Sequence, residues 1–155
     1  MAGSWDTDLA ASFRGQVNGL CGAAAPGLLF LITGLHTGHV GFTVDVCASR
    51  PLADDSWEEI VEVPFTVAVP EVTLQEWGGQ AGYPLPLPAA DYRVRYCARG
   101  MQHGNDLDTS QGPDRPADSY SLAFWPAPPA PDQVVKQTSD IAAYWHATAR
   151  SLTEE

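Results

Sequence analysis

The chain has 155 residues, 45% of them hydrophobic, with five each of Trp, Tyr and Phe; this is enough apolar surface for one folded domain and too much for a disordered chain. Nineteen acidic residues against eight basic ones give a net charge of −11, a field that repels nucleic-acid phosphates and anionic lipid and favours a basic partner. Three cysteines without CxxC spacing, Cys21, Cys47 and Cys97, argue against a disulfide framework or a zinc site; free, mostly buried thiols in a reducing cytoplasm are expected. Residues 1–8 hold two acids and no basic run, so they do not read as a signal peptide. The apolar run 27–33 is far shorter than the ~20 residues needed to cross a bilayer. Seven of the eight basic residues are Arg, and Ala, Pro and Gly abound, a composition that suggests a GC-rich bacterial genome.

The first element is a predicted helix over residues 6–20. Leu9, Phe13, Val17 and Leu20 recur at helical spacing, Asp6 or Thr7 caps the start, and Gly22 and Pro26 stop it. The pattern then changes to period two. Residues 27–33 read as a buried strand. Val40, Phe42, Val44 and Val46 alternate with Gly41, Thr43, Asp45 and Cys47 as a half-buried strand. An acidic turn over 51–56 leads into a long strand with Val61, Val63, Phe65 and Val67 on one face and Glu62, Pro64 and Thr66 on the other. Pro64 lacks a ladder donor, which predicts an edge position or a bulge. A short strand over 71–77 ends at Gly78-Gly79, and the Pro-rich stretch 83–88 leads into the clearest strand, residues 91–99. There Tyr92, Val94, Tyr96 and Ala98 face one way, and Arg93, Arg95, Cys97 and Arg99 the other. Residues 100–118 are polar and read as a long exposed loop, against a usual length of ~4–6 residues. Residues 119–125 return to alternation, 126–131 form a stiff Pro-rich linker, and a last helix begins at a Ser139 cap, with Ile141, Tyr144, Trp145 and Thr148 as its apolar stripe.

These elements predict a single all-β domain: an antiparallel two-sheet sandwich over 27–125, an N-terminal helix within 1–25, and a linker and C-terminal helix over 126–155. No helix falls between successive strands, which argues against a parallel α/β sheet.

No GxSxG, GxxxxGKS, HExxH or GxGxxG motif is present, and nothing calls for a cofactor, so the chain reads as a binding protein rather than an enzyme. The exposed acids Asp54, Asp55, Glu58, Asp106 and Asp108 are the candidate contacts for a partner with a basic surface; no nucleic-acid or membrane partner is expected. Arg93 and Arg95, with Trp77 beside Gly78-Gly79, form an alternative small-ligand or carbohydrate site, because guanidinium groups match carboxylates and exposed aromatics stack on sugars. Cross-strand pairing of these arginines with acids such as Glu58, Glu62 or Asp45 is the plainer expectation. His36 and His39, three apart, could ligate a metal if His103 supplied a third ligand, which defines a metal-assisted enzyme as a further alternative; a polar turn is the plainer reading. The oxygen donors at 105–110 resemble the opening of a calcium loop, but Gln111 stands where glycine is needed.

The Val61-Glu62-Val63-Pro64-Phe65 strand, the Pro88-Ala89-Ala90-Asp91-Tyr92-Arg93-Val94 stretch and the following Tyr120–Trp125 strand together resemble the competence protein J-like (ComJ-like) family of small bacterial β-sandwich proteins, over about 40–125. The resemblance implies a β-sandwich and kinship with an acidic inhibitor of a DNA-entry nuclease. The flanking helices and the long polar stretch depart from that pattern, and no functional residue of the family maps onto this chain.

Overall fold

The computed structural model describes residues 10–25, 27–34, 41–75, 82–107 and 118–153. Helix α1 is described over 10–13. There follow β1 (Cys21–Gly22), β2 (Phe30–Leu31), β3 (Gly41–Val46), β4 (Glu59–Val67), β5 (Val72–Gln75), β6 (Gly82–Leu85), β7 (Ala90–Arg99), α2 (Met101–Leu107), β8 (Ser119–Pro126), β9 (Gln133–Lys136) and α3 (Asp140–Thr153).

The chain is rich in strands, as expected, but the antiparallel two-sheet arrangement is not what the described residues form. They build one five-stranded mixed sheet in the order β3-β8-β7-β4-β9, with two-stranded ribbons β1–β2 and β5–β6 beside it. β3 runs parallel to β8, with Gly41 opposite Ser119 and Val46 opposite Phe124; the other pairs are antiparallel. Alternation in a sequence fixes which residues share a face, not which strand lies next door or in which direction it runs. Pro64 behaves as its chemistry requires. β9 pairs with β4 only through Ile60–Glu62, with a register irregularity after Ile60, so Pro64 has a ladder neighbour on one side only.

The alternation in the central strands is borne out. Val61, Val63, Phe65 and Val67 of β4, Tyr92, Val94, Tyr96 and Ala98 of β7, and Tyr120, Leu122 and Phe124 of β8 form a continuous buried face. Tyr96 and Tyr120 stack at 5.6 Å, the Tyr96 hydroxyl donates to Ile32 O, and the Gly34 N–H donates to the Tyr120 hydroxyl. Phe13, Leu20, Ile32 and Met101, with Ala142 and Ala149 of α3, complete this core.

The helix map changes in two places, at the first helix and in the segment after β7. The N-terminal helix ends far short of Leu20: Gly15 takes φ 86°, and residues 16–20 are irregular. The cause is side-chain competition for the backbone. The Asn18 side chain accepts the N–H groups of Leu20 and Cys21, and Gln16 bonds Cys21 O and the Ala23 N–H. Residues 6–9, with the expected caps, lie outside the described residues. Residues 101–107, expected as loop, are α2, whose Met101 is fully buried. The C-terminal helix starts at the expected cap, where Ser139 Oγ accepts the Ala142 N–H and Asp140 lies in the first turn, but its buried face is Ala142, His146 and Ala149, and Tyr144 of the expected stripe is exposed.

α3 is fastened to the N-terminal segment at Gly19, where a Cβ would sit 1.8 Å from Trp145 O. The Gly19 N–H donates to His146 Nδ1 at 2.9 Å, and Asp132 accepts the N–H groups of Val17 and Asn18. His146 is 1% exposed, and burial lowers its pKa from the ordinary 6.5 to about 4, with Arg150 pressing the same way and Asp132 opposing. The folded state refuses a proton that the unfolded chain accepts below pH 6.5. This contribution to stability is therefore complete above pH 6.5 and is lost as the pH falls towards 4. Urea denaturation across that window should show a loss of about 2–3 kcal/mol that is absent in His146→Gln; equal slopes for the two proteins would refute the assignment.

Candidate functional site

The face of the sheet opposite the apolar core is built around one carboxylate. Register sets Glu62 of β4 opposite Arg95 and Pro64 opposite Arg93, so both arginines flank Glu62 on the same face. Glu62 is 1% exposed. Arg95 Nε donates to its Oε2 at 3.1 Å and Arg93 Nε to its Oε1 at 3.4 Å. Arg50, from the segment between β3 and β4, closes over both oxygens at 3.2 and 3.0 Å as a bidentate pair. Trp125 of β8 lies opposite Arg93, and the Arg50 and Arg95 guanidinium groups stand 5.6 and 5.2 Å from its ring centre.

The same cations fix the segment that carries the acidic turn. Arg95 Nη1 donates to Pro51 O at 2.9 Å, Lys136 Nζ to Asp55 O at 3.0 Å, and Arg99 Nε to Ser56 O at 3.2 Å. Arg99 also donates to Ser56 Oγ and lies 4.3 Å over the Trp57 ring. Bonds from a charged donor contribute ~1.5–3 kcal/mol each when shielded and less at an exposed site. Asp54 accepts the Ser56 N–H at 2.8 Å; that bond, then the Ser56 hydroxyl and the nearby Arg99, lowers its carboxyl pKa.

The acids that follow tie the two C-terminal helices to this end of the sheet. Glu58 Oε1 accepts the Gly100 N–H at 2.7 Å, beside the start of α2. Buried Glu59 accepts the N–H groups of Thr138 and Ser139, just ahead of α3, where backbone donors are otherwise unpaired. Gln102 of α2 accepts the Ile141 N–H and donates to Asp106.

Of the expected partner contacts, Asp54, Asp55, Glu58 and Asp106 are exposed and lie around this one end, linked by the bonds above. Asp108 is outside the described residues. Arg93 and Arg95 are buried and engaged with Glu62, Ala130 O and Pro51 O; Trp77 is outside the described residues. His36 and His39 are outside them too, and His103 is exposed on α2. No group of three or more His, Cys, Asp or Glu suited to a metal occurs among the described residues. Asn105 and Asp106 are helical, not part of an open calcium-type loop. The thiols are free; Cys21 and Cys97 are buried, and burial pushes Cys97 up to about 11. Arg50 and Lys136 escaped sequence reasoning, and no local pattern signals either. Trp125, expected to pack, is buried, and the alternation of β8 sets it on the face of Arg93.

Removing the shared carboxylate leaves buried cations facing one another. Glu62→Ala should cost about 3–5 kcal/mol in chemical denaturation. Arg50→Ala, at the exposed rim, should cost about 1 kcal/mol. Equal losses for the two variants would mean that Glu62 is not the organising group.

Comparison of the chain with family profiles, with curated proteins and with solved structures gives no match. Among the described residues, no helix is long and apolar enough to cross a membrane.

Proposed function

We propose that the chain is a non-enzymatic, acidic binding protein that docks on a protein with a basic surface, as an inhibitor or immunity-like partner of a nuclease would. One observation carries this reading: the acids Asp54, Asp55, Glu58 and Asp106 are exposed around one end of the sheet, while Arg50, Arg93 and Arg95 converge on Glu62. Burial of Glu59, Glu62 and Asp118 together with Arg93 and Arg95 leaves the surface about as acidic as the net charge of −11. A negative surface of this kind accelerates encounter with a basic groove. The resemblance to the competence protein J-like family supports the same reading and the bacterial, cytoplasmic setting that goes with it. The arginine stripe serves Glu62, which weighs against its use as a carbohydrate or anion site.

Association kinetics against a panel of basic nucleases test the proposal. A partner should bind at low salt, and its association rate should fall steeply as salt is raised. The double variant Asp55→Asn/Asp106→Asn should slow association by a factor on the order of 3 to 10. Binding indifferent to salt and to both substitutions, or no basic partner at low salt, would remove the idea.

A further inference from the structure

Segment 50–57 has a property that charge does not explain. Leu52 is 98% exposed, and Ala53, Asp54 and Asp55 beside it are exposed as well. A lone exposed leucine is ordinary on a slack surface. This one stands on a backbone gripped from below. Pro51 O, Asp55 O and Ser56 O each accept a bond from a different cation, Arg95, Lys136 and Arg99, and Arg50 is clamped to Glu62. Half of the chain's eight basic residues thus hold one short stretch. The grips are themselves fixed: Arg95 by Glu62 and Trp125, Arg99 by the Trp57 ring. The main-chain oxygens of Pro51, Asp55 and Ser56 are turned to the protein, and the side chains of 52–55 are left to solvent.

A loop ordered before encounter loses little conformational entropy on binding, so its contacts convert to affinity with less loss. An apolar side chain at the centre of such a loop, with charges at its edge, matches the layout of an interface anchor and its polar rim. We propose that residues 51–55 are a pre-formed recognition loop with Leu52 as its anchor. The occupant is a protein that presents an apolar pocket bordered by Lys or Arg side chains. Leu52 fills the pocket, and Asp54 and Asp55 meet the border. Asp54 is already held in place by the Ser56 N–H. This inference rests on the reading of the acidic end as a surface for a basic protein.

The test uses the full chain with a photo-crosslinking residue at position 52, and at position 17 as a control. Val17 is 46% exposed and sits by Arg150 in the last turn of α3, roughly 15 Å along that helix from the end nearest the loop. Proteins captured in cells of the source organism are identified, purified and titrated with the wild type, Leu52→Ala, Lys136→Met and Asp55→Asn. The expected result is capture of a basic protein from position 52 and not from 17. Leu52→Ala then weakens binding by roughly tenfold or more with an unchanged melting temperature, and Lys136→Met, which frees the loop without altering its contacts, weakens it by a smaller factor. If a basic protein binds Leu52→Ala within twofold of wild type, the anchor is overturned and the acidic-surface reading stands. Capture from position 17 alone also overturns the anchor. If the protein captured at 52 has no basic surface and its binding ignores salt and Asp55→Asn, both readings fall.

Discussion

One carboxylate organises the half of the molecule that faces away from the apolar core. Glu62 sits on β4, buried, and receives donors from three guanidinium groups. Removing charges from water is costly, and attraction inside repays the cost only when the lone pairs and protons are satisfied. Here both oxygens are bonded, and the surplus of positive charge finds neutral acceptors in Ala130 O, Pro51 O and the face of Trp125. Because Arg50 belongs to the connection between β3 and β4, the same carboxylate that joins β4 to β7 also holds that connection on the sheet.

The two faces of the sheet divide the work. Valines and aromatics of β4, β7 and β8 bury against the N-terminal segment and α3, and this supplies most of the burial. The second face supplies positional definition, through charge-assisted bonds that fix a loop and the starts of two helices. Glu58 and Glu59 contribute through backbone N–H groups rather than through cations. Arg93 and Arg95 are thereby directed inward, while Arg50 and Arg99 stay exposed beside the acids of that end.

The sequence made the central strands legible because period-two alternation is unambiguous where one face is fully apolar, as in 59–67, 90–99 and 119–126. Ser139 announced α3 by its capping chemistry. Three features stayed hidden for physical reasons. The first helix stops at Gly15 because Gln16 and Asn18 offer the backbone better partners nearby, which an apolar stripe does not reveal. α2 has few apolar residues, and Met101 is its one fully buried large side chain. The parallel pairing of β3 with β8 joins residues far apart in sequence, so no turn chemistry marks it. For the acidic end, the exposure of Asp54, Asp55, Glu58 and Asp106 was readable from their polarity. The convergence of Arg50, Arg95, Arg99 and Lys136 on one segment was not, since it depends on strand neighbours.

The position of β3 bears on the order in which the fold assembles. β4, β7 and β8 pair across the intervals 68–89 and 100–118, both much shorter than the interval between β3 and β8, so their contacts close first. β3 precedes all of them in the chain, yet its place beside β8 exists only after β8 has been laid down. During synthesis the nascent strand must therefore wait, unpaired to β8, until most of the polypeptide has emerged. Its alternating valines stay exposed for that interval, and the carboxylate of Asp45 among them disfavours pairing with the wrong neighbour.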